Sequence, residues 1–544
     1  LIANPPYMGG KGMNTALKDF AKKKFPDSKS DMFAMFIERC QELSKASGET
    51  AFVTPYVWMF ISSYEQMRSK LVTDATIQSL IQLEYNAFEP ACVPVCAFIV
   101  GKSHIPNFVG SYIKLSEFKG HENQAPKTIE AINNPDCGWF FNAKPDDFKK
   151  IPGSPVAYWV SSKTIETFED NKSLSFLAEP KAGLATGDNT KFQRIWFEVS
   201  FQNISFNCKS CSESKILSSK WFPCHSGGEF RKWYGNHETV VNWKNDGEEI
   251  RNFRHEDGRQ KSRPQNTQFF FKQGLTWTKL SSTFFAVRFR PLGFIFDDTG
   301  RSAFFAHSEH ELPTLAAVNS KAGQYFLSIL NPTMSFTSGD VGKVPLNLSF
   351  GDLHTSRVEN LIQIAKTDWN SYETSWDFTE NPIIRTQQPN LEQAFTVWQQ
   401  QNADAVAEMK RLEEENNKLF IEAYGLQDEL TPDVPDEQIT LTRANREKDS
   451  QRLVSYALGC MMGRYSLDEP GLIYAHAGNQ NFDASRYQKF PADADGIIPL
   501  TEMHWFEDDA THRIQEFLTA VWGKDTLDAN MQWLAESLDK KASE

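Results

Sequence analysis

Leu1-Ile2-Ala3-Asn4-Pro5-Pro6-Tyr7 opens the chain: three apolar residues with the character of a strand, then a side-chain amide, two prolines and a tyrosine. Each proline fixes φ and lacks an N–H, so the strand must end and the loop after it is stiff. The loop carries groups that suit an exocyclic amine on an aromatic ring. The lone pair of such a nitrogen is delocalised into the ring and is a poor nucleophile. Asn4 Oδ1 and the Pro5 carbonyl are acceptors for its two protons, and they draw the lone pair outward, toward an electrophile. Tyr7 offers a ring on which an extruded base can stack. The alternative is a chance Pro-Pro turn after a strand, and the pattern that follows speaks against it.

Working outward, residues 1–115 alternate strand and helix. Residues 31–40 place apolar side chains at 32, 33, 36, 37 and 40, the spacing of an amphipathic helix. Residues 51–54 are a buried-type strand closed by Pro55, 64–71 a helix, and 77–83 a strand followed by Phe88. Residues 93–100 are a further strand, with Cys92 and Cys96 flanking Pro94 as small apolar fillers. The expected fold is α/β: the C-terminal half of a Rossmann-like, doubly wound sheet, whose strand carboxyl ends carry the site. No Gly-rich turn precedes residue 1, and Gly9, Gly10 and Gly12 come after the loop. The chain is therefore expected to be an internal piece of a longer protein, without its cofactor-binding half. Its last residues, 540–544, look equally unfinished.

Residues 116–150 are polar and rich in turn formers, which predicts a linker. Residues 151–360 alternate short aromatic runs (195–199, 269–271 and 284–289) with Gly and Asn turns, which predicts a mostly β domain. Residues 361–544 read as helical, a spacer or partner surface, with Pro432 and Pro435 as breaks. No apolar run approaches a membrane span. Eight irregularly spaced Cys suit a reducing cytoplasm. The net charge of −13 disfavours nucleic acid at face value, but it is unevenly spread. Residues 209–290 hold 15 Lys or Arg against 8 Asp or Glu, and residues 401–440 hold 3 against 11. A basic, aromatic segment beside an acidic one fits DNA contact in one region and a solvated face in another.

The chain resembles the PglX family of adenine-specific DNA methyltransferases of bacterial BREX phage-defence systems. The matching stretches are spread along its length: Asn4-Pro5-Pro6-Tyr7-Met8-Gly9-Gly10, residues 88–98, 152–159 and 183–189, Gly228-Glu229-Phe230-Arg231-Lys232-Trp233-Tyr234-Gly235, and residues 274–277, 421–430 and 463–467. The family's proteins are much longer. The resemblance implies methyl transfer from S-adenosylmethionine to adenine N6 in a short asymmetric site of double-stranded DNA, in company with other defence proteins and away from membranes. Asn4, Pro5, Pro6 and Tyr7 match the catalytic loop position by position. Phe88 matches the aromatic ring expected on the other face of the flipped base, with core packing beneath the sheet as the alternative. On this basis 1–115 is a partial methyltransferase domain, 151–360 a target-recognition domain, and the isolated piece is expected to be inactive.

Within 151–360 the candidate DNA-facing residues are Thr186, Asp188, Asn189, Arg231 and Lys232. Gly187 is open between a tight turn and DNA contact, and Arg231 between a guanine edge and a phosphate. Trp233 reads more naturally as core. Cys208, Cys211, Cys224 and His225 have the residue types of a zinc site, but the adjacency of Cys224 and His225 strains a tetrahedral set, and no metal is expected. Two other readings share most of these features: the methyltransferase-specificity portion of a fused restriction-modification enzyme, and a non-catalytic recognition or scaffold subunit. Methylation of a protein glutamine through a related loop predicts a small enzyme, and the long segment after residue 150 counts against it.

Overall fold

The computed structural model describes the chain except for residues 89–92, 349–351, 476–479, 501–504 and 540–544, and the side chains of 352–354. The expectations for Cys92 and for the 540–544 tail lie outside the described residues. The chain divides into two compact units: residues 1–177 with 321–347 and 420–430, and residues 178–320 with 348–419 and 431–544.

The first unit is built on a six-stranded sheet: β1 (Ile2–Ala3), β2 (Glu49–Pro55), β3 (Thr76–Gln82), β4 (Val95–Gly101), β5 (Gly110–Lys114) and β6 (Phe140–Ala143). Its spatial order is β1-β2-β4-β3-β5-β6. Helices α1 (Thr15–Lys24) and α2 (Met32–Leu43) lie between β1 and β2, and α3 (Glu65–Asp74) lies between β2 and β3. These helical crossovers return the chain in the same direction. Among the described residues of the link from β3 to β4 there is no helix, and β4 comes back antiparallel between β2 and β3. The sheet is therefore mixed, not uniformly parallel. Its core joins Phe33 and Ile37 of α2 to Phe52, Trp58, Met67, Val72, Leu80 and Phe98.

Two boundaries differ from expectation. Residues 116–150 are not a linker: they form α4 (His121–Asn133), β6 and a 3-10 turn. Ile113, Leu115 and Ala131 pack there with Phe118, Trp139 and Phe140. Residues 151–177 also belong with this first unit. The buried Arg68 guanidinium donates to the Gly153 carbonyl at 2.7 and 3.1 Å, Tyr158 stacks on Tyr112, and the Tyr158 hydroxyl donates to Gln82 at 2.8 Å.

The second unit holds two four-stranded sheets. One orders Ile295–Phe296, Trp221–His225, Thr239–Asn242 and Gln193–Ile195; the other orders Val287–Arg290, Gly274–Thr278, Gly300–Phe305 and Ala178–Lys181. Two of the aromatic runs expected as strands are not strands. Residues 196–198 form a 3-10 turn directly after the strand ends at Ile195, and Glu198 Oε2 accepts the Ile195 N–H at 2.8 Å. Phe269, Phe270 and Phe271 enter the core from an irregular loop in which Phe271 has φ +67°. The third run starts late, at Val287. The helical region is as expected in kind: Leu391–Tyr424, Arg446–Met461, Ala510–Trp522 and Leu527–Ser537. Among the described residues no helix is long and apolar enough to cross a membrane.

Candidate active site

β1 pairs parallel with β2, and both β2 and β3 pair antiparallel with β4, so β1, β2 and β3 share one direction. Their carboxyl ends leave the sheet at one edge. β1 delivers Asn4 to Tyr7 there, β2 delivers Tyr56, and β3 delivers the turn that reaches Phe88. Pro5 is buried under the loop, whereas Asn4, Pro6 and Tyr7 are exposed. The Tyr7 hydroxyl lies 3.4 Å from Asn4 Oδ1 and 3.4 Å from the Val53 carbonyl, a single donor shared between two acceptors. Partial burial, with Cys96 nearby, raises its pKa, so the phenol stays neutral. The ring stands edge-on to Phe33 with centroids 6.2 Å apart.

The far side of the loop is pinned by a residue that the sequence reading did not single out. Asp31 Oδ1 accepts the Met8 N–H at 2.9 Å and, as N-cap of α2, the Phe33 N–H at 3.3 Å. Met32 N–H donates to the Met8 carbonyl at 3.2 Å and Gly10 N–H to the Ser30 carbonyl at 3.1 Å. Its signal in the sequence was an Asp directly before a helical apolar pattern. Tyr56 was also missed. It follows Pro55 at the end of β2 and is half-buried, and burial beside Cys96 raises its pKa. Phe88 is 51% exposed, and Tyr85 before it is equally open. Glu84 Oε2 accepts the Asn86 N–H at 2.8 Å and fixes the turn between them.

A family model described as Eco57I restriction-modification methylase matches residues 1–88, the span from the Asn4 loop to Phe88. Over 99% of its length the chain is 38% identical to the adenine-specific methyltransferase PglX of Lacticaseibacillus casei (strain Zhang). It is 39% identical, again over 99%, to the adenine-specific methyltransferase BrxX of Escherichia coli O9:H4 (strain HS). The chain is homologous to the PglX and BrxX adenine-specific methyltransferases. It spans 45% of the length of each of these relatives. Among solved structures, the type IIL restriction-modification enzyme MmeI in complex with DNA aligns at 12% identity and a TM-score of 0.44, covering 79% of this chain and 55% of that one.

In this PglX/BrxX homologue the second unit sorts the DNA-facing candidates. Lys232 is withdrawn: its side chain is buried, and Nζ lies 2.6 Å from the buried Glu413 carboxylate, which also accepts the Trp233 indole N–H at 2.7 Å. Arg231 is engaged inside the unit, 3.0 Å from Asp368 and 5.1 Å over the Trp369 ring. Thr186 is buried and bonds Asn189, so it supports the corner and does not face outward. Asp188 caps the short helix Asn189–Phe192 through the Lys191 N–H at 3.0 Å. Gly187 sits at φ +78°, and a Cβ there would meet the Lys261 carbonyl at 2.8 Å, which makes it a tight turn. Asn189 and Lys191 remain exposed at this corner.

The corner has a neighbour that the sequence reading counted only as bulk charge. Ala185 and Arg263 exchange backbone hydrogen bonds of 3.0 and 2.7 Å, which sets the loop of residues 253–263 beside the corner. Arg254, Arg259, Lys261 and Arg263 are all exposed on it. The Lys191 and Lys261 ammonium groups each stand 4.8 Å from the Phe253 ring.

The cysteines have other roles. Cys208 Sγ donates to the Ser210 carbonyl at 3.3 Å and Cys211 Sγ to the Thr267 carbonyl at 3.4 Å. Burial holds Cys224 as a thiol and pushes Cys211 up to about 12. His225 stacks on Phe294 at 4.3 Å. Among the described residues, no group of three or more Cys, His, Asp or Glu could hold a metal ion.

Proposed function

We propose that this chain is the base-holding and DNA-contacting portion of a site-specific adenine-N6 DNA methyltransferase that acts in phage defence with other proteins, in the cytoplasm. The observation that carries the reading is the gathering of Asn4 to Tyr7, Tyr56 and Phe88 at the carboxyl edge of three co-directional strands, with the Asn4 amide exposed. A target adenine leaves the stack at a cost of a few kcal/mol. Tyr7 takes one face and Phe88 the other, which returns about 1–3 kcal/mol per stacked ring. Asn4 Oδ1 receives only a long bond from Tyr7, so it has a lone pair for one amino proton, and the Pro5 carbonyl takes the second. Both acceptors are fixed before the base arrives, so orientation and electrostatic preorganisation supply the rate.

S-adenosylmethionine would supply an electrophilic methyl group. The residues of the Asn4 loop fit the amine side of that transfer, and no residue of this chain is assigned to hold the adenosine. Sequence reading of the DNA falls to the second unit. Asp188 and Asn189, with Lys191, Arg254, Arg259, Lys261 and Arg263, form its open basic corner. The test is transfer of labelled methyl groups to unmethylated DNA by the natural full-length protein, with the product nucleoside identified by mass. N6-methyladenine supports the reading. DNA binding without transfer supports a recognition subunit instead.

A further inference from the structure

Between the two strands of hydrogen bonds that close on Met8–Gly10 and Ser30–Met32, residues 11–29 make a separate excursion directly after the catalytic loop. It is not loose. Met13, Leu17, Ala21 and Phe25 pack against Met32 and Met35 of α2, and Asn14 Oδ1 caps α1 by accepting the Leu17 N–H at 2.9 Å. In a chain of net charge −13, this excursion holds six lysines, Lys11, Lys18, Lys22, Lys23, Lys24 and Lys29, against Asp19 and Asp27. All six are exposed. Asp27 is taken by Lys70 at 2.5 Å. Asp19 stands three and four residues before Lys22 and Lys23, the spacing at which helical pairs close. Even so, none of the six lysines makes an ion pair among the described residues.

At 100° per residue, Leu17 and Ala21 define the buried side of α1; Lys22 and Lys23 fall on the side away from it with Asp19 between them, and Lys18 flanks the buried side. Lys18 and Lys22 are one turn apart, about 6 Å along the axis, and like charges at that spacing destabilise a helix. Lysines in a last helical turn do offset the macrodipole, which accounts for part of Lys22 to Lys24. Lys11, Lys18 and Lys29 lie outside that turn and gain nothing from it. This cationic face is complementary to an anionic partner, and its base is hydrogen-bonded within a few residues of Tyr7.

We infer that the lysine face of α1 grips the sugar-phosphate backbone of the duplex beside the extruded adenine, as a sequence-independent clamp distinct from the base-reading corner of the second unit. This rests on the reading of the chain as a DNA methyltransferase portion. Each phosphate neutralised in B-DNA releases counterions and adds about 0.9 to the slope of log K against log salt.

The test is duplex binding by this chain, followed by fluorescence anisotropy from 50 to 300 mM salt. The variants are the triple Lys18→Ala, Lys22→Ala, Lys23→Ala, a charge-matched control at the exposed Lys119, Lys448 and Lys524, and Asp19→Asn. The α1 triple is expected to weaken binding at least fivefold on any duplex and to lower the slope by about 2–3. The control should stay within twofold, and Asp19→Asn should tighten binding. Melting curves check that the exposed substitutions leave the fold intact. Equal losses in the triple and the control, or an unchanged slope in the triple, overturn the clamp and leave the functional reading standing. No binding by the parent chain overturns both.

Discussion

Asp31 Oδ1 and the Met8 N–H meet at 2.9 Å, and the same carboxylate oxygen caps α2 through Phe33. One side chain therefore starts the helix that packs against β2 and fixes the exit of the Asn4–Tyr7 loop. The loop is held at both ends, by β1 pairing before Asn4 and by Asp31 after Tyr7.

Asp31→Ala should cost the chain about 1–2 kcal/mol, the loss of a cap together with a loop hydrogen bond. Asp31→Asn keeps the acceptor and should cost a few tenths of that. Urea unfolding monitored by Trp fluorescence checks it. Equal stability of Ala and wild type would show that Asp31 neither caps nor clamps.

Lys232→Ala should leave Glu413 buried without its cation and lower stability by about 3–5 kcal/mol, whereas Lys232→Met paired with Glu413→Leu should recover only part of the loss, because the Trp233 indole N–H then lacks its acceptor. Denaturant midpoints of the two variants decide. If Lys232→Ala instead keeps its stability and loses DNA affinity, the residue faces DNA after all.

His225 and His237 lie ring to ring at 5.0 Å in the interior of the second unit. Burial holds the pKa of each well below its usual value, with Arg288 and Arg290 adding repulsion. Above about pH 6.5 both are neutral folded or unfolded, and stability is unaffected by them. Below it the unfolded chain takes up protons that the fold refuses, so stability falls as pH drops, by up to about 2.7 kcal/mol per unit for two sites. Buried Glu311 and half-buried Glu238 have raised pKa values and act in the opposite sense at lower pH, so the comparison is between the parent and His225→Asn, His237→Asn. The double variant should show a flatter decline from pH 6.5 to 5. Parallel curves would contradict the assignment.

Arg259→Gln, Lys261→Gln and Arg263→Gln together should weaken duplex binding and lower the salt slope by about 2–3. Asn189→Ala should instead relax discrimination between target and non-target DNA with a smaller loss of overall affinity. Titration of both variants against specific and random duplexes checks this. Identical effects from the two changes would remove the corner from sequence reading.

What could be read from the sequence was local. Met32, Phe33, Phe36 and Ile37 announce α2 by spacing, Pro55 closes β2, and the apolar run before Asn4 places the loop at a strand end. What could not be read was long-range. The partner of Lys232 is 181 residues away, and a Lys-Trp pair in a basic segment looks like DNA contact until Glu413 is seen. The polar stretch after 115 hides a helix because Ala131 packs against aromatics at 118, 139 and 140, which sit on either side of it. The aromatic run at 269–271 has strand composition, but Phe271 is held in a left-handed conformation by core packing that no local pattern encodes. Phe88 had two readings, a base-facing ring and a ring packed beneath the sheet, and it stands 51% exposed.

The most direct test of the account is Asn4→Ala in the natural full-length protein, assayed for transfer of labelled methyl groups to DNA beside a binding measurement on the same duplex. The account predicts that DNA affinity and melting temperature hold and that N6-methyladenine falls by far more than tenfold. Retention of more than a tenth of wild-type turnover would contradict the role of Asn4 and, with it, the assignment of the site.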